Sequence, residues 1–195
     1  VARQFKVDLY ESSTNKGYSY GHNWNLLGAN FKTALLLNAD VTLEPDWLEI
    51  LVTTLNEVKG AGMVGGKLYR MDKDGQQVFQ HNFPILDSSG IFFTPSQRHF
   101  DRGSEEEDRG QYDDRNLVFG ITGAALLCSK EMLEDVRLGE EYLDEDFFAY
   151  REDADLAWRA QLKGWKAVYE PEACAFHHRH VLPSRRHQLS ALINY

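Results

Sequence analysis

Long apolar runs are the first thing missing from this chain. Nothing in its 195 residues approaches the ~20 consecutive apolar positions that a membrane-spanning helix requires, and the best run, TALLL at 33–37, has the length of a strand. Cysteine is scarce as well. Cys128 and Cys174 stand far apart without CxxC spacing, which excludes a disulfide framework and a zinc knuckle and suggests a reducing compartment. Both read as small buried apolar residues. Positive charge is in deficit, with 21 Lys+Arg against 30 Asp+Glu and a net charge of -9, so a broad electrostatic grip on DNA or RNA is excluded. The opening VARQFKVDLY carries no charged-then-apolar leader, and neither an internal repeat nor a linker divides the chain. What is abundant argues for one folded domain spanning 1–195: 43% hydrophobic and 12% aromatic residues suffice for one sizeable core and oppose disorder.

Periodicity orders the rest. Phe5, Val7 and Leu9 alternate with polar neighbours and predict a strand, followed by the Ser-, Asn- and Gly-rich loop ESSTNKGYSYGHN and a short helix, capped by Ser19, running to about Gly28. Ala34 to Leu37 predict a buried strand that stops at Asn38-Ala39-Asp40. Pro45 then opens a helix whose buried face is Leu48, Leu51, Val52 and Leu55, ended by Gly60 and Gly62 before a short strand at Met63-Val64. Two such units in succession argue for an α/β sheet with parallel strands. Periodicity fades from Tyr69 to Arg115. The segment GSEEEDRGQYDD, inside a polar stretch of about 87–115, reads as a solvated surface loop, with a lid facing a ligand as the second reading. Beyond it come the apolar Leu117 to Leu127, a helix capped by Ser129, a last helix from about Glu152 to Lys163 stopped by Gly164, and a strand from Lys166 to Phe176.

Three groups of residues could carry chemistry. Asp40 ends a buried strand, where the crevice of an open α/β sheet binds ligands and a carboxylate is well placed for a metal, although Asn and Asp are also ordinary turn residues there. Glu152, Asp153 and Asp155 crowd the first turn of the last helix, where the helix dipole favours acids. They also follow the bulky FFAY stretch, which would wall the carboxylates and raise a pKa towards use as a general base. His177, His178 and His180 follow the last strand, as metal ligands or as structural histidines, and Arg179, Arg185 and Arg186 could hold a diphosphate or balance the acidic loop.

In order along the chain, NKGYSYGHN at 15–23, LLLNADV at 35–41, FGITGAALL at 119–127, DEDFFAYREDADLAWRAQLKGW at 144–165 and EPEACAFHH at 170–178 resemble the inverting family 2 glycosyltransferases with a GT-A fold, especially a bacterial rhamnosyltransferase-like branch. The EDADLAWR block, with a histidine 24 residues beyond Asp153, is the most specific part. The resemblance implies a Rossmann-like mixed sheet flanked by helices and a sugar donor activated by a nucleotide diphosphate. Asp40 matches the last carboxylate of the family's DxD metal motif, with Asn38 at the first position, and His177 matches the histidine that joins it on the metal. Asp153 matches the base and Glu152 its accompanying acid. Asn15, Gly17 and Asn23 match the part near the nucleotide, and Gly123 with Ala124 the acceptor side.

The chemistry explains those residue types. A cation neutralises charge growing on the departing diphosphate while a base on the opposite face takes the acceptor hydroxyl proton, so a single displacement inverts the anomeric centre. Oxygen ligands with one imidazole suit Mn²⁺ better than Mg²⁺. The implied partners are a nucleotide-sugar and a saccharide or lipid-linked saccharide acceptor in surface polysaccharide synthesis, in the cytoplasm at the inner face of the membrane. The family places a strand, a helix and a second strand ahead of the segment that starts here at Val1, so the chain is expected to be a piece of a larger enzyme, with a peripheral membrane contact and with self-association through an exposed sheet edge. Two alternatives remain at this point: a non-catalytic sugar- or nucleotide-binding module on the same scaffold, and a metal-dependent hydrolase built on the histidine cluster.

Overall fold

A computed structural model describes residues 7–178. The proposed strand around Phe5 lies partly outside that range, and its remainder, 7–10, is not a strand; the basic tail at 179–186 and His180 lie wholly outside it.

Helix α1 (Tyr18–Gly28) precedes strand β1 (Thr33–Leu37), and the short β2 (Val41–Leu43) leads into α2 (Trp47–Glu57) and the long β3 (Ala61–Arg70). Five short strands follow: β4 (Phe79–Gln80), β5 (Phe83–Pro84), β6 (Leu86–Ser88), β7 (Ile91–Phe93) and β8 (His99–Asp101). Next come β9 (Asn116–Val118), β10 (Ala125–Ser129), α3 (Lys130–Asp135), α4 (Glu152–Leu162) and β11 (Lys166–His177). The main sheet runs β1-β10-β3-β11-β2, with β6 also on β3 and β9 also on β11.

The sheet is mixed, which corrects the parallel reading. β10 inserts between β1 and β3 antiparallel to both, and the parallel pairing of neighbours is that of β3 with β11. Both faces are covered, and side-chain alternation divides the core accordingly. Leu126 and Cys128 of β10 join Leu36, Met63, Leu133, Leu156 and Ala157 under α1, α3 and α4. Ala125 and Leu127 face the other way, towards Trp47, Leu51 and Leu55 of α2. Cys128 is fully buried, as a small apolar residue should be, and Cys174 partly so.

Local corrections have local causes. The buried stripe of α2 is Trp47, Leu51, Thr54 and Leu55, while Leu48 is 47% exposed; the fully buried Trp47 indole turns the helix by about one residue from the expected face. Of the two glycines read as terminators, Gly60 lies in the turn that follows α2, with φ of 80°, whereas Gly62 lies inside the ten-residue β3, where a Cβ would run into the Met132 side chain. A Cβ on Gly66 would collide with the Ala173 carbonyl across the β3–β11 pairing. Ser129 does cap α3, accepting from the Met132 N–H, and Gly164 stops α4 with φ of 84°. Ser19 does not cap α1. Its side chain is buried inside the first turn, and the Tyr18 N–H donates to the Phe148 carbonyl, 2.7 Å away, so a tertiary contact does the capping.

The acidic stretch is also less solvated than its composition suggests. Lys67, 3% exposed on β3, donates to Asp108 at 2.9 Å and to Asp113 at 2.5 Å, and the Tyr69 hydroxyl donates to Asp108. A buried ammonium requires such counter-charge, so part of the acidity neutralises a core lysine. Among the described residues no helix is long and apolar enough to cross a membrane.

Candidate active site

The turn after β1 and the end of β11 meet because β2 pairs antiparallel with β11, with Val41 opposite His177. That register sets Asp40 against the strand end, and its carbonyl accepts the His178 N–H at 2.8 Å. The His177 Nε2 then lies 3.4 Å from Asp40 Oδ1, although 137 positions (177 − 40) separate the two residues. His177 is largely enclosed, whereas the Asp40 carboxylate keeps about a third of its exposure. The other ring nitrogen, Nδ1, is 2.7 Å from Asp87 Oδ2.

The second centre is the start of α4. Tyr150 and Arg151 enter it with φ of 72° and 75°, two successive non-glycine residues in the left-handed region. Each such residue costs about 1–3 kcal/mol and is held only by its surroundings. Glu152 is 6% exposed, and its Oε2 has no hydrogen-bond partner among the described residues. Burial first, and then the charge of Asp153, push the Glu152 carboxyl up to about 8. Burial likewise raises Asp153, although the Gly123 N–H, 2.8 Å from its Oδ2, works in the opposite direction.

Two of the four residues of the expected FFAY wall are exposed. Phe148 and Tyr150 are 37% and 60% exposed. The groups found against Asp153 are Gly123 and Tyr18, whose hydroxyl donates to the Gly123 carbonyl at 2.6 Å. Burial raises the Tyr18 phenol, with Glu152 and Asp153 adding to the shift, so it stays a neutral donor.

Gly123 and Ala124 join the two centres. Gly123 holds Asp153, and the next carbonyl, that of Ala124, accepts the Asn38 N–H at 2.9 Å at the head of the Asn38-Ala39-Asp40 turn. One dipeptide therefore fixes the acid at the start of α4 and the turn that carries Asp40. The hairpin of β7 and β8 closes the same side. Phe93 stacks on Phe119 at 4.5 Å and meets Trp158 of α4 at 5.0 Å, and from β8 the charge of Asp101 raises Asp153 while His99 lowers it.

Asn15, Gly17 and Asn23 hold the entry to α1 and its buried face. Asn15 accepts from the Gly17 N–H, and Gly17 has φ of 92° where a Cβ would strike the Phe148 carbonyl. Both ends of the buried Asn23 amide are engaged by the segment 142–145, with its nitrogen donating to the Leu143 carbonyl at 2.7 Å and its oxygen accepting the Tyr142 and Leu143 N–H groups. These contacts fasten α1 to the chain leading into α4.

Tyr18, Asp87, His99 and Asp101 were not singled out from sequence. Tyr18 had a signal, an aromatic next to the loop glycine; the others are single polar residues in an aperiodic stretch.

Among the described residues no group of three or more His, Cys, Asp and Glu is spaced to hold a metal ion. Asp40 and His177 nevertheless fit one in part: a carboxylate oxygen and a ring nitrogen converge, the carboxylate is open to solvent, and two protein donors suit a cation that keeps water or substrate phosphates as its other ligands. The His178 ring lies beside Gly75, against a hydrolase site built on the histidine cluster.

Comparison with one solved structure supports the fold. A structure of GalNAc-T7 with UDP, GalNAc and Mn²⁺ superposes with a TM-score of 0.60 at 11% identity, over 87% of this chain and 32% of that one. The chain thus spans about a third of that protein's length. A197 from STIV matches with a TM-score of 0.48 at 15% identity, over 88% of this chain and 71% of that one. No curated protein matches the sequence. The mixed sheet between two helical layers is the GT-A glycosyltransferase fold. The family model described as "Glycosyltransferase like family 2" matches residues 7–194, nearly the whole sequence, and the chain belongs to that family.

Proposed function

We propose that the chain forms the catalytic part of a metal-dependent, inverting glycosyltransferase that moves a sugar from a nucleotide-diphosphate donor to a saccharide or lipid-linked acceptor. The observation that carries this reading is the Gly123-Ala124 dipeptide, which hydrogen-bonds Asp153 on one side and the Asn38–Asp40 turn on the other. A base and a cation site held by adjacent backbone groups meet the requirement of a single displacement, with acceptor activation and leaving-group charge handled on opposite sides of one anomeric carbon.

Asp153 takes the acceptor hydroxyl proton through the carboxylate oriented by Gly123. Its raised pKa makes it a stronger base than an exposed aspartate. Glu152, pushed up to about 8, keeps its own proton at neutral pH and spares Asp153 a second negative charge at its side. Tyr18 holds the Gly123 carbonyl and so fixes the peptide that aims Asp153. Asp40 and His177 would hold the divalent cation, Mn²⁺ in preference to Mg²⁺. When bound, the cation supplies charge neutralisation at the diphosphate. UDP, GalNAc and Mn²⁺ belong to the GalNAc-T7 structure; for this chain the case rests on Asp40 and His177 themselves. Gly123 and Ala124 would face the acceptor, and Asn15, Gly17 and Asn23 would shape the nucleotide side through α1.

The likeness to the rhamnosyltransferase-like branch makes a dTDP-linked deoxyhexose the first donor to test. It also suggests work on surface polysaccharide in the cytoplasm, at the inner face of the membrane. The test is nucleotide release from UDP-, GDP- and dTDP-sugars with Mn²⁺. Asp153→Asn keeps the shape and removes the base, so turnover should fall about 100-fold or more while donor binding persists. Unchanged turnover in that variant would remove Asp153 from the role, and donor binding without transfer by the parent protein towards any acceptor would identify a binding module.

A further inference from the structure

Asp87 lies on β6, in the stretch that reads from sequence as a surface loop, yet its side chain is 1% exposed. β6 and β11 flank β3 on opposite sides, about 9.6 Å apart at two strand spacings, and the two side chains meet across β3. Asp87 Oδ2 is 2.7 Å from His177 Nδ1, and Arg70 Nε is 3.4 Å from Asp87 Oδ1. Arg70 offsets part of the cost of burying that carboxylate, and its remaining nitrogens reach Glu105 and Ser104.

We propose that Asp87 is the positioning residue of the cation site, presenting His177 Nε2 beside Asp40; this rests on the reading of Asp40 and His177 as metal ligands. An ionised carboxylate only accepts, so a hydrogen bond at 2.7 Å puts the ring proton on Nδ1. In the neutral imidazole the lone pair is then on Nε2, the atom that faces Asp40 Oδ1 at 3.4 Å. The contact selects the tautomer and fixes the ring's rotation. Histidine ligands of metals ordinarily donate their second N–H to a carboxylate or carbonyl, and loss of that partner typically weakens metal binding 10–100-fold.

The experiment is titration of the full chain with Mn²⁺ in the presence of inorganic diphosphate, for the parent and for Asp87→Ala, Asp87→Asn, Asp40→Ala and His177→Ala. It is joined to ¹⁵N NMR of the His177 ring in the metal-free parent and in each Asp87 variant. Asp87→Ala should weaken Mn²⁺ binding about 10–100-fold and abolish the preference for the Nδ1–H tautomer. Asp87→Asn, which still accepts through its amide oxygen, should lose less than Asp87→Ala. Should Asp87→Ala fail to fold by circular dichroism, Asp87→Asn and the tautomer in the parent carry the test, and an Nε2–H tautomer in the parent overturns the proposal. Loss of Mn²⁺ in Asp40→Ala and His177→Ala, with Asp87→Ala within about twofold of the parent, overturns the role of Asp87 and leaves the cation site standing. Equal binding by all five proteins overturns the cation site itself.

Discussion

Glu152→Gln separates a carboxyl buried for its chemistry from one that merely occupies the start of a helix. The residue is 6% exposed, one carboxyl oxygen has no partner among the described residues, and burial together with the Asp153 charge pushes its carboxyl up to about 8 from the ordinary 4.5. Unfolding releases it to water, where it ionises near 4.5. Between those two values the folded chain holds a proton that the unfolded chain has lost, so this group lowers stability steadily as pH rises through that window. Above about 8 the loss is complete. At about 1.4 kcal/mol per tenfold, the gap corresponds to roughly 5 kcal/mol, an upper bound because the first turn of α4 can open to water before the full cost is met. The substitution preserves size and removes the titration. Urea unfolding followed by circular dichroism from pH 4.5 to 9 should therefore show the variant gaining on the parent across the range, by about 2–5 kcal/mol between the ends. Two curves that run parallel within about 0.5 kcal/mol would refute the reasoning, since a carboxyl that gives no such signal is hydrated in the folded protein.

Other substitutions test the parts around it. Lys67→Met leaves Asp108 buried without its cation and should cost about 3–5 kcal/mol in a urea titration, with part of the loss recovered on adding Asp108→Asn; a change under 1 kcal/mol would mean that water already reaches the lysine. Gly17→Ala must hold φ near 92° and push back the Phe148 carbonyl, so about 2–4 kcal/mol of stability should be lost, and an unchanged urea midpoint would show that α1 can be entered another way. Among the described residues β1 pairs with β10 on one side alone. Its other edge should make the chain self-associate in sedimentation velocity as concentration rises, and a single monomeric species at tens of micromolar would count against that.

What could be read from sequence was what repeats or terminates locally. The Ser129 cap, the Gly164 stop, and the limits of α4 and β11 depend on neighbours within a few positions, and they are where the patterns put them. The pairing of Asp40 with His177 was open to inference because both residues end apolar runs, and strand ends of one sheet share an edge. The failures are long-range. Nothing within ten residues of Leu48 says that Trp47 will be the anchor of α2, because that is decided by the depth of the sheet surface beneath it. Strands of two or three residues such as β4 to β8 show no period, and their existence depends on partners elsewhere in the chain. Asp87 was invisible for the same reason: one acid among many, distinguished only by the histidine 90 positions away that it reaches. Tyr18 lay next to the glycine that drew attention, yet its target, the Gly123 carbonyl, is 105 residues distant.

The position of β11 in the sheet has a consequence for how the protein comes into being. This strand joins β3, β2 and β9, and it carries His177. On a ribosome, everything up to α4 emerges while the centre of the sheet still lacks that strand, leaving the apolar flank of β3 bare. At 5–20 residues per second, the 137 positions between Asp40 and His177 take about 7–27 s to make. For that interval Asp40 has no imidazole beside it, and the pair proposed to hold the cation is incomplete. Ribosome-bound chains arrested before Lys166 should accordingly be sensitive to proteases and inert towards Mn²⁺, and both properties should change together once residue 177 is free to pair.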